Sequence, residues 1–134
     1  MDRLATRLGE AERALATLAE ALAVEVPTQL ERDGAIQRFE YTFEVVWKLG
    51  QRYLAEHEGQ PAVSPKAVFR GLGNAGVLSI YDTQHAMDMT DDRNLTVHTY
   101  VEGVADKVFG ELARHHGLLA EITAEVRRRT ANGG

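Results

Sequence analysis

The sequence has no cysteine among its 134 residues. Disulfide bridges, thiolate zinc sites and cysteine nucleophiles are therefore excluded, and the lack of cysteine suits a reducing cytoplasm. Long apolar runs are missing as well, since no stretch approaches the roughly 18 uninterrupted apolar residues of a membrane span. The charged, periodic amino terminus lacks the apolar core of a secretory signal. We expect a cytoplasmic protein with no membrane contact.

An excess of basic residues is also lacking. Lys and Arg number 15 against 20 Asp and Glu, so the formal net charge is −5. This balance argues against broad, non-specific binding to duplex nucleic acid, which depends on a basic surface. A small local basic site remains open. The length predicts one domain over residues 1–134 with a sizeable core.

Apolar residues recur at helical spacing along the chain, and no run alternates with the period of a strand. A first helix ends before Pro27, and the pattern Thr28-x-x-Glu31 predicts a capping box for a second, which runs to about His57. The pair Ser64-Pro65 predicts the start of a short third helix. A fourth helix is expected over about residues 82–93, followed by a long last one.

These elements predict an all-α fold, an antiparallel helical bundle resembling a four-helix bundle with a short extra helix. The carboxyl end, residues 127–134, predicts a frayed basic tail. The second helix has an apolar surface that is wide for one contact, which suggests a homodimer interface. On that helix Arg38, Glu40 and Glu44 interrupt the apolar pattern, as a solvated edge or as a groove that binds a partner.

The stretch RNLTVHTY, residues 93–100, is the candidate site. On a continuous helix Arg93 and His98 would point about 140° apart, so they would not share a ligand. The pattern Thr99-x-x-Glu102 predicts a second capping box, with Thr99 as N-cap and Tyr100 as the first residue of the last helix. Residues 94–97, beginning with Asn94, would then form a corner at which the three side chains converge.

Such a corner is suited to phosphate. A helix N-terminus attracts anions, and Arg93 adds a planar cation that matches phosphate oxygens. His98 can move a proton near neutral pH. An anion clamp with a proton-transfer group is what RNA cleavage by its own 2′-hydroxyl requires. The alternative is that Arg93 pairs with Asp88, Asp91 or Asp92 while His98 is an ordinary polar cap.

Three blocks in order carry a resemblance to a known family: RDGAIQRFEYTFEVVWKLGQRYL, SPKAVFRGLGNAGVL and MDMTDDRNLTVHTY. The chain resembles the nucleotidyltransferase substrate-binding proteins of the HEPN superfamily, over about residues 32–109. It departs from the expected pattern at two positions, where it has His85 in place of an aromatic residue and Val101 after the tyrosine.

The resemblance implies a helical bundle that dimerises and binds a small MNT-type (minimal) nucleotidyltransferase. In HepT-like toxins of this superfamily, R-x-x-x-x-H-x-Y marks a metal-independent ribonuclease that the partner silences by adding AMP to the tyrosine. Here Arg93 would bind the scissile phosphate, His98 would transfer the proton and Tyr100 would accept AMP. The resemblance equally allows a non-catalytic subunit that binds RNA, a nucleotide or another substrate for the partner.

The remaining polar residues suggest supporting roles. Asp92 is expected to orient Arg93, and Asn94 and Thr99 complete the candidate binding residues. The Asp88–Asp92 turn lacks a histidine or further carboxylate at metal-ligand spacing, so we predict neither a metal site nor a cofactor. His115 falls on the apolar stripe of the last helix, where a hydrogen-bonded core histidine is expected.

Overall fold

The computed structural model describes residues 2–96 and 101–131. Within these two ranges the chain forms α-helices and connecting segments, with no β-strand. The helices are α1 (Arg3–Leu22), α2 (Gln29–His57), α3 (Pro65–Asn74), α4 (Ile80–Thr96) and α5 (Glu102–Thr130). The predicted all-α fold with a short extra helix is confirmed. No helix in these ranges is long and apolar enough to cross a membrane.

Local signals place the helix ends. The predicted capping box of α2 is confirmed, because Thr28 Oγ1 accepts from the Glu31 amide at 3.1 Å and Glu31 Oε1 accepts from the Thr28 amide at 2.9 Å. Ser64 caps α3 in one direction only, because its Oγ accepts from the Ala67 amide at 3.2 Å, and Pro65 occupies the first helical position. Beyond α2 the chain turns at Gly59, whose φ of 64° favours glycine.

Contacts between helices give the topology of an antiparallel bundle formed by α1, α2, α4 and α5. Arg127 of α5 pairs with Glu12 of α1 and His116 bonds to Leu15, so these two helices run in opposite directions. α4 runs antiparallel to both α2 and α5. α2 and α5 are parallel and meet across the diagonal of the bundle, while α3 packs between α2 and α4.

α2 is the central helix, in contact with α1, α3, α4 and α5. Its apolar residues are therefore largely used within the protomer, and only Leu30 and Tyr41 are large, apolar and exposed on it. The width of this apolar surface thus has an explanation other than a homodimer interface. The buried side chains form a continuous core; its largest fully buried members include Phe39, Phe43, Phe69, Leu49 and Leu112.

The predicted basic tail needs correction. α5 continues to Thr130, and the three arginines at 127–129 form ion pairs with Glu12 and Glu125. The guanidinium of Arg129 also donates to the Ala75 carbonyl at 3.0 Å, which ties the end of α5 to the segment after α3. Fraying is therefore wrong for residues 127–130; residues 132–134 lie outside the described chain.

The junction between α4 and α5 also differs from expectation in detail. The predicted break between Arg93 and the last helix is confirmed, but α4 extends to Thr96, so Asn94 is helical and does not form the corner. α5 begins at Glu102 with Val101 as N-cap, so the predicted N-cap role of Thr99 is wrong. Instead of closing a capping box from within α5, the Glu102 carboxylate accepts from Arg32 at 3.0 Å.

Candidate functional site

Arg93 lies in the last turn of α4 with its side chain against α2. Its Nη2 donates to Oε2 of Glu44 at 3.1 Å, and its Nη1 donates to Oδ1 of Asn94 at 3.2 Å. The guanidinium carbon lies 5.2 Å from the centroid of the Phe43 ring, a cation–π distance. Two residues of α2 therefore hold the cation: Phe43 through the face of its ring and Glu44 through its carboxylate.

The guanidinium is only partly used by these contacts. Nε is buried and has no hydrogen-bond partner among the described residues. A guanidinium has five N–H donors, and the two contacts above engage one on each terminal nitrogen. An unpaired buried donor costs on the order of 1–3 kcal/mol, so proteins rarely retain one without a purpose. Nε itself is enclosed by protein, so the donors that remain for an anion are the second N–H groups of Nη1 and Nη2.

Glu44 is the residue that orients Arg93. Oε2 of Glu44 also accepts from Trp47 Nε1 at 2.9 Å, and Oε1 pairs with Lys48 Nζ at 3.1 Å. Burial alone would raise the pKa of the Glu44 carboxyl, but the bonds from Trp47 and Lys48 and the charge of Arg93 together lower it. The carboxylate therefore stays ionised. The structure does not support the alternative in which Arg93 pairs with Asp88, Asp91 or Asp92, because its ion pair is with Glu44.

Asp92 faces the core, away from Arg93. Its Oδ2 lies 2.8 Å from Nε2 of His115, and its Oδ1 accepts from Lys107 Nζ at 3.0 Å. Burial would raise the pKa of the Asp92 carboxyl, but these two partners outweigh it and lower the pKa. The expected direct role of Asp92 in orienting Arg93 is therefore wrong: both of its oxygens are engaged by α5.

His115 extends this chain to a second histidine. Its Nδ1 lies 2.9 Å from Nε2 of His85 on α4, and its ring stacks on Phe39 at a centroid distance of 5.4 Å. Because an ionised Asp92 only accepts, it fixes the proton of neutral His115 on Nε2. Nδ1 of His115 then accepts from His85. The prediction of a hydrogen-bonded core histidine at 115 is confirmed.

The other predicted site residues are placed only in part. Asn94 is exposed in the last turn of α4, next to Arg93. His98, Thr99 and Tyr100 lie outside the described residues, so the predicted convergence of guanidinium, imidazole and phenol stays a prediction. Within residues 2–96 and 101–131, no group of three or more His, Asp or Glu side chains is arranged to hold a metal ion.

Sequence reasoning did not assign Phe43 and Glu44 to the site. One signal was present, because Glu40 and Glu44 interrupt the apolar pattern of α2 one turn apart. Both now have partners on α4, since Glu40 accepts from Thr96 Oγ1 at 2.8 Å and Glu44 accepts from Arg93. Acidic residues amid an apolar stretch of a central helix thus marked the contact with α4.

Comparisons with known proteins agree with this fold. A family model described as nucleotidyltransferase substrate binding protein like matches residues 6–128. No curated protein matches the chain. A protein from Thermus thermophilus, known from its crystal structure, is 47% identical; the match covers 87% of this chain and 98% of that one, and superposes with a TM-score of 0.84.

Two more distant structures share the fold. A mutant of the toxin–antitoxin MntA–HpeT is 14% identical over 96% of this chain and 99% of that one, with a TM-score of 0.79. A tri-AMPylated HEPN toxin from Shewanella oneidensis, in complex with its MNT antitoxin, is also 14% identical, with the same coverage and a TM-score of 0.78. At this identity the likeness shows the fold alone, a helical bundle.

Proposed function

Because the chain belongs to the family of nucleotidyltransferase substrate-binding-like proteins, we propose that it is the HEPN-type partner of a minimal nucleotidyltransferase and acts as a toxin ribonuclease. The observation that carries this proposal is Arg93, a half-buried cation with unengaged donors, held next to the segment that contains His98 and Tyr100. The fold it shares with a HEPN toxin that is complexed with an MNT antitoxin supports the pairing.

In this reaction the 2′-hydroxyl of RNA attacks the adjacent phosphorus. A 2′-O–P bond forms while the bond from phosphorus to the 5′-oxygen of the next nucleotide breaks. His98 takes the proton from the 2′-hydroxyl, or delivers one to the leaving 5′-oxygen. Arg93 stabilises the negative charge that develops on the phosphoryl oxygens, so no metal ion is needed.

Silencing would follow from a second transfer at the same segment. The phenol oxygen of Tyr100 loses its proton and attacks the α-phosphorus of ATP in the partner's active site. An O–P bond forms, the bond from the α-phosphorus to the oxygen that bridges to the β-phosphorus breaks, and pyrophosphate leaves. The product carries AMP two residues from His98, where its bulk and negative charge would exclude RNA from Arg93. The AMPylated state of the Shewanella oneidensis toxin supports this part of the proposal.

We place this chemistry in a cytoplasmic homodimer. Three large apolar residues are exposed at the end of the bundle near Arg93: Leu30, Leu95 and Val101, at 82%, 45% and 50% exposure. Pairing two protomers through this end would cover them and bring the two sites together. Light scattering at micromolar concentration tests this, and a strictly monomeric mass would contradict it.

A non-catalytic binding subunit is the second candidate, favoured by one contact. The Arg93 guanidinium is already paired with Glu44, so an incoming phosphate must compete with a carboxylate that has two further donors. A protein that only binds a nucleotide for its partner would tolerate this competition better than a ribonuclease.

RNA cleavage by the purified protein, in the presence of a metal chelator, separates the two candidates. The ribonuclease predicts cleavage by the wild type and its loss in Arg93→Ala and in His98→Ala. Arg13→Ala is the matched control, because Arg13 is exposed on α1 and forms no ion pair within the described chain. Equal RNA decay in all four proteins would reject the ribonuclease.

Mass measurement after incubation with the partner and ATP tests the silencing step. We expect added AMP on the wild type and none on Tyr100→Phe. Tyr81→Phe is the control, since the Tyr81 side chain is 86% exposed and offers an alternative phenol. An unchanged mass of the wild type with an active partner would rule out AMP transfer.

A further inference from the structure

A cavity of about 320 Å³ lies at the end of the bundle where α4 ends and α5 begins. Its walls come from three helices, with residues 30–40 of α2 on one side, Thr96 of α4 and the first turn of α5 on the other. A volume of this size is within the range of small-ligand sites. Neither Arg93 nor its partner Glu44 lines this cavity.

The lining has two different sides. Ile36 and Ala105, both buried, form an apolar floor together with half-buried Val104. Asp33 and Glu40 stand at the rim, on the same face of α2 two turns apart. A flat apolar ring that carries hydrogen-bond donors at its edge would satisfy both sides, because its face meets the floor and its edge meets the carboxylates.

Each of the two carboxylates keeps an oxygen for a ligand. Glu40 accepts from Thr96 Oγ1 on Oε2, at 2.8 Å, and Asp33 accepts from Arg32 on Oδ1. Within the described chain no side chain donates to Glu40 Oε1 or Asp33 Oδ2. An ionised carboxylate only accepts, so the rim recognises N–H donors. Among nucleobases, carboxylates accept from the exocyclic amino groups, as they do from N4 of cytosine.

Arg93 does not line the cavity, but it lies about one turn before Thr96, which does. α4 and α2 run antiparallel here and form two successive links, Arg93 to Glu44 and Thr96 to Glu40. Thr96 Oγ1 also lies 2.8 Å from the carbonyl oxygen of Arg93. The links are one helical turn apart, roughly 5 Å. This separation is comparable to the span between the phosphate and the base of one nucleotide.

We propose that this cavity is the subsite for an amino-bearing nucleobase (adenine, cytosine or guanine) of the nucleotide whose phosphate lies against Arg93. The idea rests on the proposed function, and it adds a base preference to that site. Uracil is disfavoured because it has a carbonyl oxygen where cytosine has its amino group, and that oxygen would face the Glu40 carboxylate. Glu40 is the specificity-determining residue.

Nucleosides test the subsite without phosphate chemistry. Cytidine and uridine are nearly identical in shape. They differ at the position expected to face Glu40, where cytidine has an amino group and uridine has a carbonyl oxygen. Titration at millimolar concentration, followed by amide NMR shifts, should show cytidine and adenosine perturbing Gly34, Gln37 and Val104, which line or adjoin the cavity. We expect cytidine to bind about ten-fold tighter than uridine, the value of a hydrogen bond to a charged acceptor.

Glu40→Gln should reduce the preference for cytidine to near one, because an amide presents donors as well as an acceptor. Glu20→Gln, a change of an exposed residue on α1, should leave it unchanged. Equal binding of both nucleosides, no binding, or shifts that map outside the cavity would overturn the proposal. Since neither nucleoside contains phosphate, cytidine selectivity without RNA cleavage would reject only the ribonuclease, and cleavage without selectivity would reject only the subsite.

Discussion

Two adjacent residues of α4, Asp92 and Arg93, belong to opposite kinds of polar network. Asp92 is 6% exposed and has both oxygens engaged, by Lys107 and by His115. Arg93 is half-buried and points to a different side of α4, where it pairs with Glu44 of α2. Its Nε has no partner within the described ranges. One step along the helix thus separates a saturated network from an unsaturated one.

The difference assigns different roles to the two. A buried polar chain in which every member is satisfied stabilises one arrangement of the helices, here α4 against α5. A cation whose donors are only partly bonded contributes less to stability than a saturated one, and the remaining N–H groups on its terminal nitrogens can bind a ligand. Asp92 therefore stabilises the helix that carries the site, while Arg93 is available for chemistry.

The largest effect is expected from Asp92→Ala. The change leaves His115 and Lys107 without their acceptor, and breaking a buried pair costs about 3 kcal/mol or more of unfolding free energy. Arg93→Ala removes an unsatisfied donor together with its ion pair and should cost about 1 kcal/mol or less. Urea denaturation monitored by circular dichroism measures both. Equal losses would remove the distinction between the two networks.

Lowering the pH should destabilise the fold through the saturated network, which contains Asp92, His115 and His85. Burial lowers the pKa of His115 despite Asp92, and burial with the charges of Arg114 and His115 lowers the pKa of His85. Below the ordinary histidine pKa of about 6.5, the unfolded chain therefore binds protons that the folded chain does not. The free energy of unfolding is highest above this pH and falls as pH drops through it, by up to about 1.4 kcal/mol per pH unit per histidine.

His85→Gln isolates one part of that dependence. A glutamine amide can still donate to Nδ1 of His115 but does not titrate, so the slope between about pH 6.5 and pH 5 should decrease while stability at neutral pH changes little. Denaturation midpoints at several pH values give the slope. A variant with the wild-type slope would show that His85 does not contribute to it.

A second arginine, Arg129, sharpens the comparison, because its hydrogen bonds are saturated although it lies near the surface. Arg129 donates to Glu125, to the Tyr53 hydroxyl at 3.2 Å and to the Ala75 carbonyl at 3.0 Å. Arg129→Ala should lower the free energy of unfolding by about 1–2 kcal/mol, since these bonds join three parts of the fold. Arg128→Ala is the matched control: Arg128 is 71% exposed and pairs only within its helix. A loss as large for Arg128 would contradict the assignment.

Much of the fold could be predicted because its signals are local. The capping box at Thr28, the N-cap at Ser64 and the apolar period of each helix depend on residues a few positions apart. His115 was also predictable as a core residue from its place on an apolar stripe. These local patterns suffice to identify helices and the faces that they bury.

The errors arose where distant residues decide. Glu102 matches a capping box in the sequence, yet it pairs with Arg32, 70 residues away. Asp92 was expected to contact its neighbour Arg93. Consecutive residues of a helix point in different directions, however, and the Asp92 side chain contacts α5. The arginines at 127–129 read as a solvated tail because Glu12, Tyr53 and Ala75 are remote in sequence. Partners of this kind are set by packing, which periodicity does not specify.

The smallest expected effect concerns the unsaturated network. Glu44→Gln removes the charge that competes with phosphate for Arg93, while the amide oxygen can still accept from Trp47. An exposed or half-exposed ion pair contributes at most about 1 kcal/mol, so an oligodeoxynucleotide, which lacks the 2′-hydroxyl and is not cleaved, should bind up to about five-fold tighter. Fluorescence anisotropy measures this affinity.

Glu56→Gln provides the control for that measurement, because Glu56 is also on α2 and pairs with Arg52 at 3.3 Å, away from the site. Each variant raises the net charge equally, so a general electrostatic gain would be the same in both. A larger gain in affinity for Glu44→Gln would mean that the Glu44 carboxylate competes with the bound anion for Arg93. Equal gains would mean that the anion does not reach Arg93, and the idle donors of that side chain would then need another explanation.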